Sequence, residues 1–180
     1  DWAERLAIYR LGSGKTIIHA TEGVFGLACD ALSRDACQRL SYLKSRTPNK
    51  QFIVVVADFR QIERFVGISS AEYEKLTERW SVLETWVMPA FERTPAWLRG
   101  RSNSLAVRVT RHEQFSNLCR HFGPIVSTSA NPAKRRPALN LLRARQYFGN
   151  QVDYYLSGAL IVPGKVSVIR DIRTGKLIRS

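Results

Sequence analysis

The chain has 180 residues, of which 44% are hydrophobic, so it can bury a core and is not a disordered chain. No apolar run approaches the length of a membrane span. Lysine and arginine number 28 against 15 acidic residues, a net charge of +13. This excess favours polyanionic partners such as RNA, DNA, nucleotides or acidic membranes, without selecting one of them.

Hydrophobic periodicity and turn residues predict alternating helices and strands along the chain. The expected elements are a helix over 2–11, a strand over 16–20, a helix over 33–44, a strand over 52–57, a helix over 69–80, strands over 83–91 and 104–110, a helix over 112–122, a strand over 124–126, a helix over 139–148, and strands over 167–172 and 176–179. Caps are expected from Ser33 and from the pair Ser69 and Glu72. This order predicts an α/β fold on one twisted mixed sheet, with residues 1–180 forming a single domain.

The segment Thr21–Leu27 follows the first predicted strand and contains two glycines. Glycine has no side chain, so the backbone of this segment is expected to bend closely around another group. The three cysteines form no CxxC pair, and the three histidines show no metal-ligand spacing. We therefore expect a reducing cytoplasm, no disulfide framework, no protein-held metal, and histidines that lie at the surface or fill space.

The predicted strand Ser104–Thr110 alternates between apolar residues and small or polar ones, which is typical of a half-buried strand. Its polar side carries Arg108 between Ala106 and Thr110. A guanidinium group offers a planar fork of donors that suits a carboxylate or a phosphate. On this strand alone, an arginine on a solvated sheet face is the simpler interpretation.

Three cations stand around the end of the predicted helix over 33–44, namely Lys44, Arg46 and Lys50. They could merely complement the negative end of the helix dipole. Lys44 and Arg46 would diverge on a continuous helix, so convergence on one anion requires the chain to leave helical geometry between them. Pro48 favours that change of direction.

Small polar side chains follow the predicted strand over 124–126, in the segment Ser127-Thr128-Ser129-Ala130-Asn131. They could cap the next helix. They could equally surround a ligand with short hydrogen-bonding groups, as loops at strand ends often do.

Five segments in order resemble the YrdC-type (TsaC) threonylcarbamoyl-AMP synthase family. They are Ala20–Leu27, Lys44-x-Arg46, Ser104–Val109, Ser127–Asn131, and Ser167-x-Ile169-Arg170-Asp171 ahead of Arg179. The resemblance implies a single-domain YrdC-like fold, with a twisted mixed sheet flanked by helices around a concave central cavity. It also implies that L-threonine, bicarbonate and ATP are converted to threonylcarbamoyl-AMP and pyrophosphate, for threonylcarbamoyladenosine modification of tRNA.

The resemblance implies roles for individual residues. L-threonine would be bound by Thr21, Arg108, Ser127 and Ser167. ATP would be bound by Lys44, Arg46, Lys50, Ser104, Ser129, Asn131 and Arg179. Lys44 and Arg46 would be catalytic, because such a reaction depends on holding anionic reactants together and neutralising charge. Mg²⁺ would arrive with ATP, and no residue is assigned to a protein-held metal.

The implied partners are tRNA or other RNA on the basic surface and a downstream threonylcarbamoyl-transferase complex, in the cytoplasm and without a membrane. Several positions depart from the family pattern, at Ala20, Ser81–Thr85, Pro132–Lys134 and Val166. Loss of prolines loosens loops without removing a ligand group, so we expect binding to be retained and turnover to be the property at risk.

Two other functions remain open from the sequence. One is an RNA-binding module with a vestigial nucleotide site, in which the net charge of +13 carries the function. Such a module would favour exposed aromatic residues, whereas the tryptophans and phenylalanines of this chain mostly stand in apolar surroundings. The other is a carbamoyltransferase domain of a hydrogenase-maturation protein, which we rank last because no acylphosphatase or zinc-finger part is present.

Overall fold

A computed structural model describes residues 1–45, 51–79, 83–100 and 102–179. In these ranges the helices and strands are α1 (Trp2–Gly12), β1 (Ile17–Ala20), β2 (Phe25–Asp30), α2 (Arg34–Leu43), β3 (Ile53–Val56), α3 (Ser70–Arg79), β4 (Glu84–Pro89), β5 (Ser104–Val109), α4 (Glu113–Phe122), β6 (Ile125–Ser129), α5 (Leu141–Phe148), β7 (Tyr154–Tyr155), β8 (Val168–Asp171) and β9 (Leu177–Arg179). Short 3-10 helices cover Phe59–Gln61, Glu63–Phe65 and Gly149–Gln151. The α/β class expected from the sequence is confirmed.

The predicted caps determine where two helices begin. The hydroxyl oxygen of Ser33 accepts a hydrogen bond from the backbone N–H of Ala36 at 3.3 Å at the start of α2. Before α3, the Glu72 carboxylate accepts from the Ser69 backbone N–H at 2.7 Å, and Ser69 Oγ accepts from the Glu72 N–H at 3.3 Å. This reciprocal pair is the capping box that the sequence predicts.

The strands join one mixed sheet in the order β7-β1-β2-β6-β3-β5-β4-β8-β9. The centre is formed by β6, β3 and β5, in which β3 runs parallel to β5 and antiparallel to β6. Strand β3 contains only Ile53, Val54, Val55 and Val56, and the last three are fully buried. This confirms the prediction of a central strand covered on both faces.

Each face of the sheet has its own apolar core. Helices α1 and α4 pack on one face through a cluster that includes Leu11, Phe115 and Val55. The opposite face carries the larger cluster, which includes Leu40 of α2. Side chains alternate between the two faces along a strand. Polar side chains on the face of α1 and α4 can therefore form a site only beyond the area that these helices cover.

The sequence-based expectation was wrong or incomplete for three strands of the sheet. Strand β2 was not predicted, because Phe25–Asp30 is buried on both faces and therefore lacks alternation. Strand β6 extends through Ser127 to Ser129, where a loop was expected. Pairing with β2 and β3 on both sides outweighs the weak strand preference of serine. The two-residue strand β7 is too short to give a periodic signal.

Two of the three histidines are neither at the surface nor merely space-filling. His19 is fully buried on β1, and His112 is buried at the start of α4, where Nδ1 accepts from the Phe115 backbone N–H at 3.3 Å. His121 is exposed. All three cysteines are free and buried. Across the described ranges, no helix has the length and apolar character needed to cross a bilayer.

Candidate active site

The register of the central strands places predicted site residues on one face of the sheet. Ser127 of β6 lies opposite Ile53 of β3, and Ile53 lies opposite Ala106 of β5. Residues opposite each other, and residues two positions apart on a strand, point to the same face. Arg108 and Ser129 therefore share the face of Ala106 and Ser127. It is the face on which α1 and α4 pack.

Arg108 lies inside the protein beside an acidic partner. Its Nη2 is 3.7 Å from Oε2 of Glu22, and the two side chains are 10% and 0% exposed. Within the described part of the chain, Arg108 Nε has no hydrogen-bond partner. The solvated arginine considered from the sequence is therefore wrong. The guanidinium is held in a buried setting with donors left over for an anion.

Glu22 is fixed by the chain that follows β5. Its Oε1 accepts hydrogen bonds from Thr110 Oγ1 at 2.7 Å and from the backbone N–H groups of Arg111 at 2.9 Å and His112 at 3.3 Å. Burial raises the pKa of Glu22, but the charge of Arg108 and these hydrogen bonds outweigh it, so the pKa lies below its usual value. Glu22 is therefore a buried carboxylate that holds Arg108 in place.

The segment between β7 and β8, residues 156–167, closes over the turn that carries Thr21 and Glu22. The backbone oxygen of Glu22 accepts from the N–H groups of Ile161 at 2.9 Å and Val162 at 2.7 Å. A Cβ added at Gly23 would lie 1.8 Å from the Lys165 backbone oxygen. The glycine is required because two backbones touch there. The tight bend predicted for this segment is present, and what it contacts is the chain itself.

Thr21 and Ser167 are buried at the two ends of this contact. Thr21 Oγ1 donates to the Val24 backbone oxygen at 2.7 Å. Ser167 Oγ accepts from Thr85 Oγ1 at 3.1 Å. Both hydroxyls are oriented by the fold before any ligand is considered.

Ser127 is paired with His19. Oγ of Ser127 lies 3.1 Å from Nε2 of His19, and Nδ1 of the same ring lies 2.8 Å from the Ala20 backbone oxygen. The imidazole packs on Phe115, with ring centroids 4.0 Å apart. Complete burial lowers the pKa of His19 to about 3, so the ring is neutral at ordinary pH.

Lys44 joins the end of α2 to the end of β6 and to the residues just beyond it. Its ammonium group donates to the backbone oxygens of Ser129 and Asn131, the latter at 2.8 Å, and it lies 3.5 Å from Ser129 Oγ and 3.4 Å from Asn131 Oδ1. The backbone N–H of Ala133 donates in turn to the Lys44 backbone oxygen at 3.0 Å. Three residues expected on the nucleotide side thus meet at one place, although up to 87 positions separate them.

The remaining expected ATP residues are less fully placed. Ser104 is buried at the start of β5, on the face of Arg108, and its backbone oxygen accepts from Gln51 Nε2 at 2.7 Å. Arg46 and Lys50 lie outside the described residues, as do Ser81 and Val82 of the departing segment 81–85. The backbone of Arg179 ends β9 opposite Ile169, and its side chain is outside the described atoms.

A cavity of about 540 Å³ borders the Lys44 cluster. Its lining includes Leu43 and Ser45 on either side of Lys44, and Pro132 next to Asn131. A smaller cavity, of about 280 Å³, lies beside α3 at Val66 and Tyr73, away from these residues. In the described part of the chain, no three histidine, cysteine, aspartate or glutamate side chains group together as a metal site would require.

The fold and this site define an α/β protein with a buried arginine and buried serine hydroxyls on one sheet face, and comparison with known proteins places it more closely. The Sua5_yciO_yrdC family model, described as "Telomere recombination", matches residues 10–180. The threonylcarbamoyl-AMP synthase of Nitrosococcus oceani is 42% identical over 181 residues, covering 99% of this chain and 98% of that protein. The synthase of Pseudomonas aeruginosa PAO1 is 42% identical over 167 residues, covering 92% and 90%. The chain belongs to the Sua5/YciO/YrdC family.

A solved structure of the same family supports the fold. The crystal structure of P. abyssi Sua5 complexed with L-threonine matches with a TM-score of 0.89 at 26% identity. The match covers 98% of this chain but only 52% of that one, so this chain spans about half the length of P. abyssi Sua5. The expected family and the expected fold, a mixed sheet flanked by helices, are confirmed.

Sequence reasoning missed two residues of the site, Glu22 and His19. Glu22 stands in the matched segment Ala20–Leu27, but nothing local shows that its partner is Arg108. His19 offers no metal-ligand spacing and meets Ser127 108 positions away. The two-residue period of a strand could have indicated His19. It lies on a predicted strand two residues before Thr21, so the two side chains are expected on the same face.

Proposed function

We propose that the protein is an L-threonylcarbamoyladenylate synthase, which converts L-threonine, bicarbonate and ATP to threonylcarbamoyl-AMP and pyrophosphate. The observation that carries the proposal is the meeting of Lys44 with Ser129 and Asn131, since Ser129 belongs to the sheet face that also carries Ser127 and Arg108. Full-length similarity to proteins named threonylcarbamoyl-AMP synthase supports the same reaction.

The threonine half of the site would be formed around Arg108. Its guanidinium is suited to the substrate carboxylate, since it is held beside Glu22 in a buried setting and its Nε has no hydrogen-bond partner in the described chain. Thr21, Ser127 and Ser167 would complete this pocket. Their hydroxyls are already oriented by neighbouring groups, which lowers the entropy lost when a ligand binds.

The ATP half would be formed around Lys44, with Ser104, Ser129, Asn131, Arg46, Lys50 and Arg179. Lys44 is anchored between backbone oxygens at the C-terminal end of α2, where the helix dipole also favours a cation. A fixed positive charge of this kind stabilises negative charge on a transferring phosphoryl group. Mg²⁺ would enter with the ATP phosphates.

The reaction does not require a covalent intermediate on a protein side chain. The threonine amine and bicarbonate form a carbamate and release water. A carbamate oxygen then attacks the α-phosphorus of ATP, and pyrophosphate leaves. Arg108 would hold one anionic reactant and Lys44 and Arg46 the other, which brings the reacting atoms together and offsets the charge that moves to pyrophosphate. Lys44 and Arg46 are the catalytic residues in this scheme.

The direct test is to incubate the protein with L-threonine, bicarbonate, Mg²⁺ and ATP. Pyrophosphate and a threonylcarbamoyl-AMP mass should appear together, and both should require threonine and bicarbonate. Substituting Arg46→Ala should abolish product formation. Pyrophosphate release that is equally fast without threonine would refute the synthase assignment. A vestigial site in an RNA-binding module would instead show no product and a modest loss of RNA affinity in R46A.

A contact with RNA is the second part of the proposal. Lys134, Arg135 and Arg136 are exposed in one loop, on a chain with a net charge of +13. We propose that this surface binds the phosphates of tRNA or another RNA in the cytoplasm, and that the adenylate passes to a threonylcarbamoyl-transferase complex. Such binding should weaken steeply as salt rises, and a variant with all three residues changed to alanine should show a smaller salt slope. An unchanged slope would exclude this loop.

A further inference from the structure

The pairing of His19 with Ser127 determines which way the Ser127 hydroxyl points. A backbone oxygen can only accept a hydrogen bond, so the contact of His19 Nδ1 with the Ala20 oxygen at 2.8 Å places the ring proton on Nδ1. The neutral ring then has a bare Nε2. This nitrogen accepts a hydrogen bond from the hydroxyl of Ser127, whose Oγ is 3.1 Å away.

Because its single proton is used in this way, Ser127 Oγ has only lone pairs to offer a ligand. We infer that His19 is a positioning residue that makes Ser127 a hydrogen-bond acceptor in the amino-acid pocket, so that Ser127 meets an N–H or O–H group of the substrate and not its carboxylate. The inference rests on the proposed function for the identity of the substrate. It leaves the carboxylate to Arg108.

The surrounding strands are built to allow this pair. Gly26 of β2 lies directly opposite His19 on β1, between His19 and β6. A Cβ at Gly26 would lie 2.6 Å from His19 Nε2 and 2.8 Å from Ser127 Oγ. The imidazole therefore crosses over a position that only glycine can occupy. Packing on Phe115 fixes the plane of the ring.

The tautomer can be measured on the wild-type protein, independently of any activity. Long-range ¹H–¹⁵N spectra of the imidazole rings, with the His19 signals assigned by their loss in His19→Gln, should show a protonated Nδ1 and a bare Nε2. A proton on Nε2 would turn Ser127 towards the ligand as a donor and overturn the inference.

Kinetics test the consequence for substrate. Ser127→Ala and His19→Phe should each raise the KM for threonine about tenfold and leave the KM for ATP within about twofold. The first removes the acceptor of a hydrogen bond from the amino acid, and the second frees the Ser127 hydroxyl to rotate out of the accepting orientation. The double variant should be no worse than Ser127→Ala, because the two residues act through one contact. His19→Gln, which retains an acceptor near Nε2, should recover most of the loss, and His121→Gln on the exposed side of α4 should match the wild type.

Losses that multiply in the double variant, or a KM for ATP that rises with that for threonine, would overturn the role of His19. If the wild type makes no threonine-dependent pyrophosphate, the proposed function fails instead. The tautomer measurement then still decides whether Ser127 is an acceptor.

Discussion

Arg108 and Glu22 face each other inside the protein, with 3.7 Å between a guanidinium nitrogen and a carboxylate oxygen and almost no exposure of either side chain. Arg108 lies on β5 and Glu22 on the turn between β1 and β2, so the pair connects these two parts of the chain. An ion pair with this burial differs from a surface pair, because removing one member leaves the other charged and out of water.

Glu22→Gln should therefore destabilise the protein strongly. The amide retains an acceptor for the Thr110 and Arg111 donors but removes the charge that balances Arg108. Breaking a buried pair in this way typically costs about 3–5 kcal/mol, and the separation of 3.7 Å places the expectation at the lower end. Urea unfolding measures the change. Glu92→Gln, at an exposed position, is the matched control and should shift the free energy by less than about 0.5 kcal/mol. Equal effects of the two substitutions would contradict the pairing.

We expect the free energy of unfolding to depend on pH because of His19. Its pKa is lowered to about 3 in the folded protein by burial, against about 6.5 when unfolded, so the unfolded chain binds one more proton between these values. Stability is complete above about pH 6.5 and should fall by about 1.4 kcal/mol per pH unit as the pH decreases towards 3.

In the interval from pH 6.5 to 5, Glu22, Asp153 and Asp171 do not contribute to the loss, because their pKa values lie below their usual range. Burial raises the pKa of Asp30, which would stabilise the fold as the pH falls and therefore opposes the effect of His19. His19→Gln should flatten the slope in that interval, and His121→Gln should retain it. Identical slopes in the wild type and His19→Gln would show that another group titrates there.

Lys44→Met should remove activity more than it removes stability. The variant keeps the apolar stem but loses the ammonium group that donates to the Asn131 and Ser129 backbone oxygens. We expect kcat/KM for ATP to fall about 100-fold or more, the usual effect of losing one preorganised stabilising group. Steady-state pyrophosphate release at varied ATP measures it, with Lys176→Ala on the exposed turn before β9 as a control that should stay unchanged. A variant that unfolds more easily but turns over normally would make Lys44 a purely structural cation.

Serine should be a poorer substrate than threonine. It keeps the hydroxyl and the amino acid backbone but lacks the methyl group, which forfeits apolar contact worth about 1 kcal/mol or more. Competition between the two amino acids in one reaction gives the ratio of their kcat/KM values, which should favour threonine about tenfold. Equal use of both would show that the pocket does not enclose the methyl group.

The sequence predicted those parts of the protein that depend on local patterns. Strand β5 follows from strict alternation, and the start of α3 follows from the Ser69 and Glu72 capping box, because both signals involve neighbouring residues. Strand β2 could not be read in the same way, since burial on both faces removes alternation. The family resemblance brought Lys44, Ser129 and Asn131 to one site, and the structure places them in contact.

The side-chain pairs that organise the site could not be predicted from the sequence. Arg108 with Glu22, and His19 with Ser127, each join distant positions through the sheet register, and a shift of one residue would turn either pair to opposite faces. The register therefore decides which charge balances Arg108 and which group forms a hydrogen bond with Ser127. A sequence shows which groups need a partner, and only the fold shows which partner each one has.

Gly23→Ala tests the backbone contact that closes the site. A Cβ at this position would lie 1.8 Å from the Lys165 backbone oxygen, and neither backbone can move without disturbing the hydrogen bonds that Glu22 accepts from Ile161 and Val162. We expect a loss of about 1–3 kcal/mol or more in unfolding free energy, together with faster hydrogen exchange at the Ile161 and Val162 amides. Gly12→Ala at the end of α1 is the matched control, because its Cβ would meet only Phe122 at an ordinary 3.8 Å. That control should be neutral or slightly stabilising, since alanine favours a helix over glycine. Comparable exchange rates in Gly23→Ala and the wild type would show that residues 156–167 do not depend on this contact.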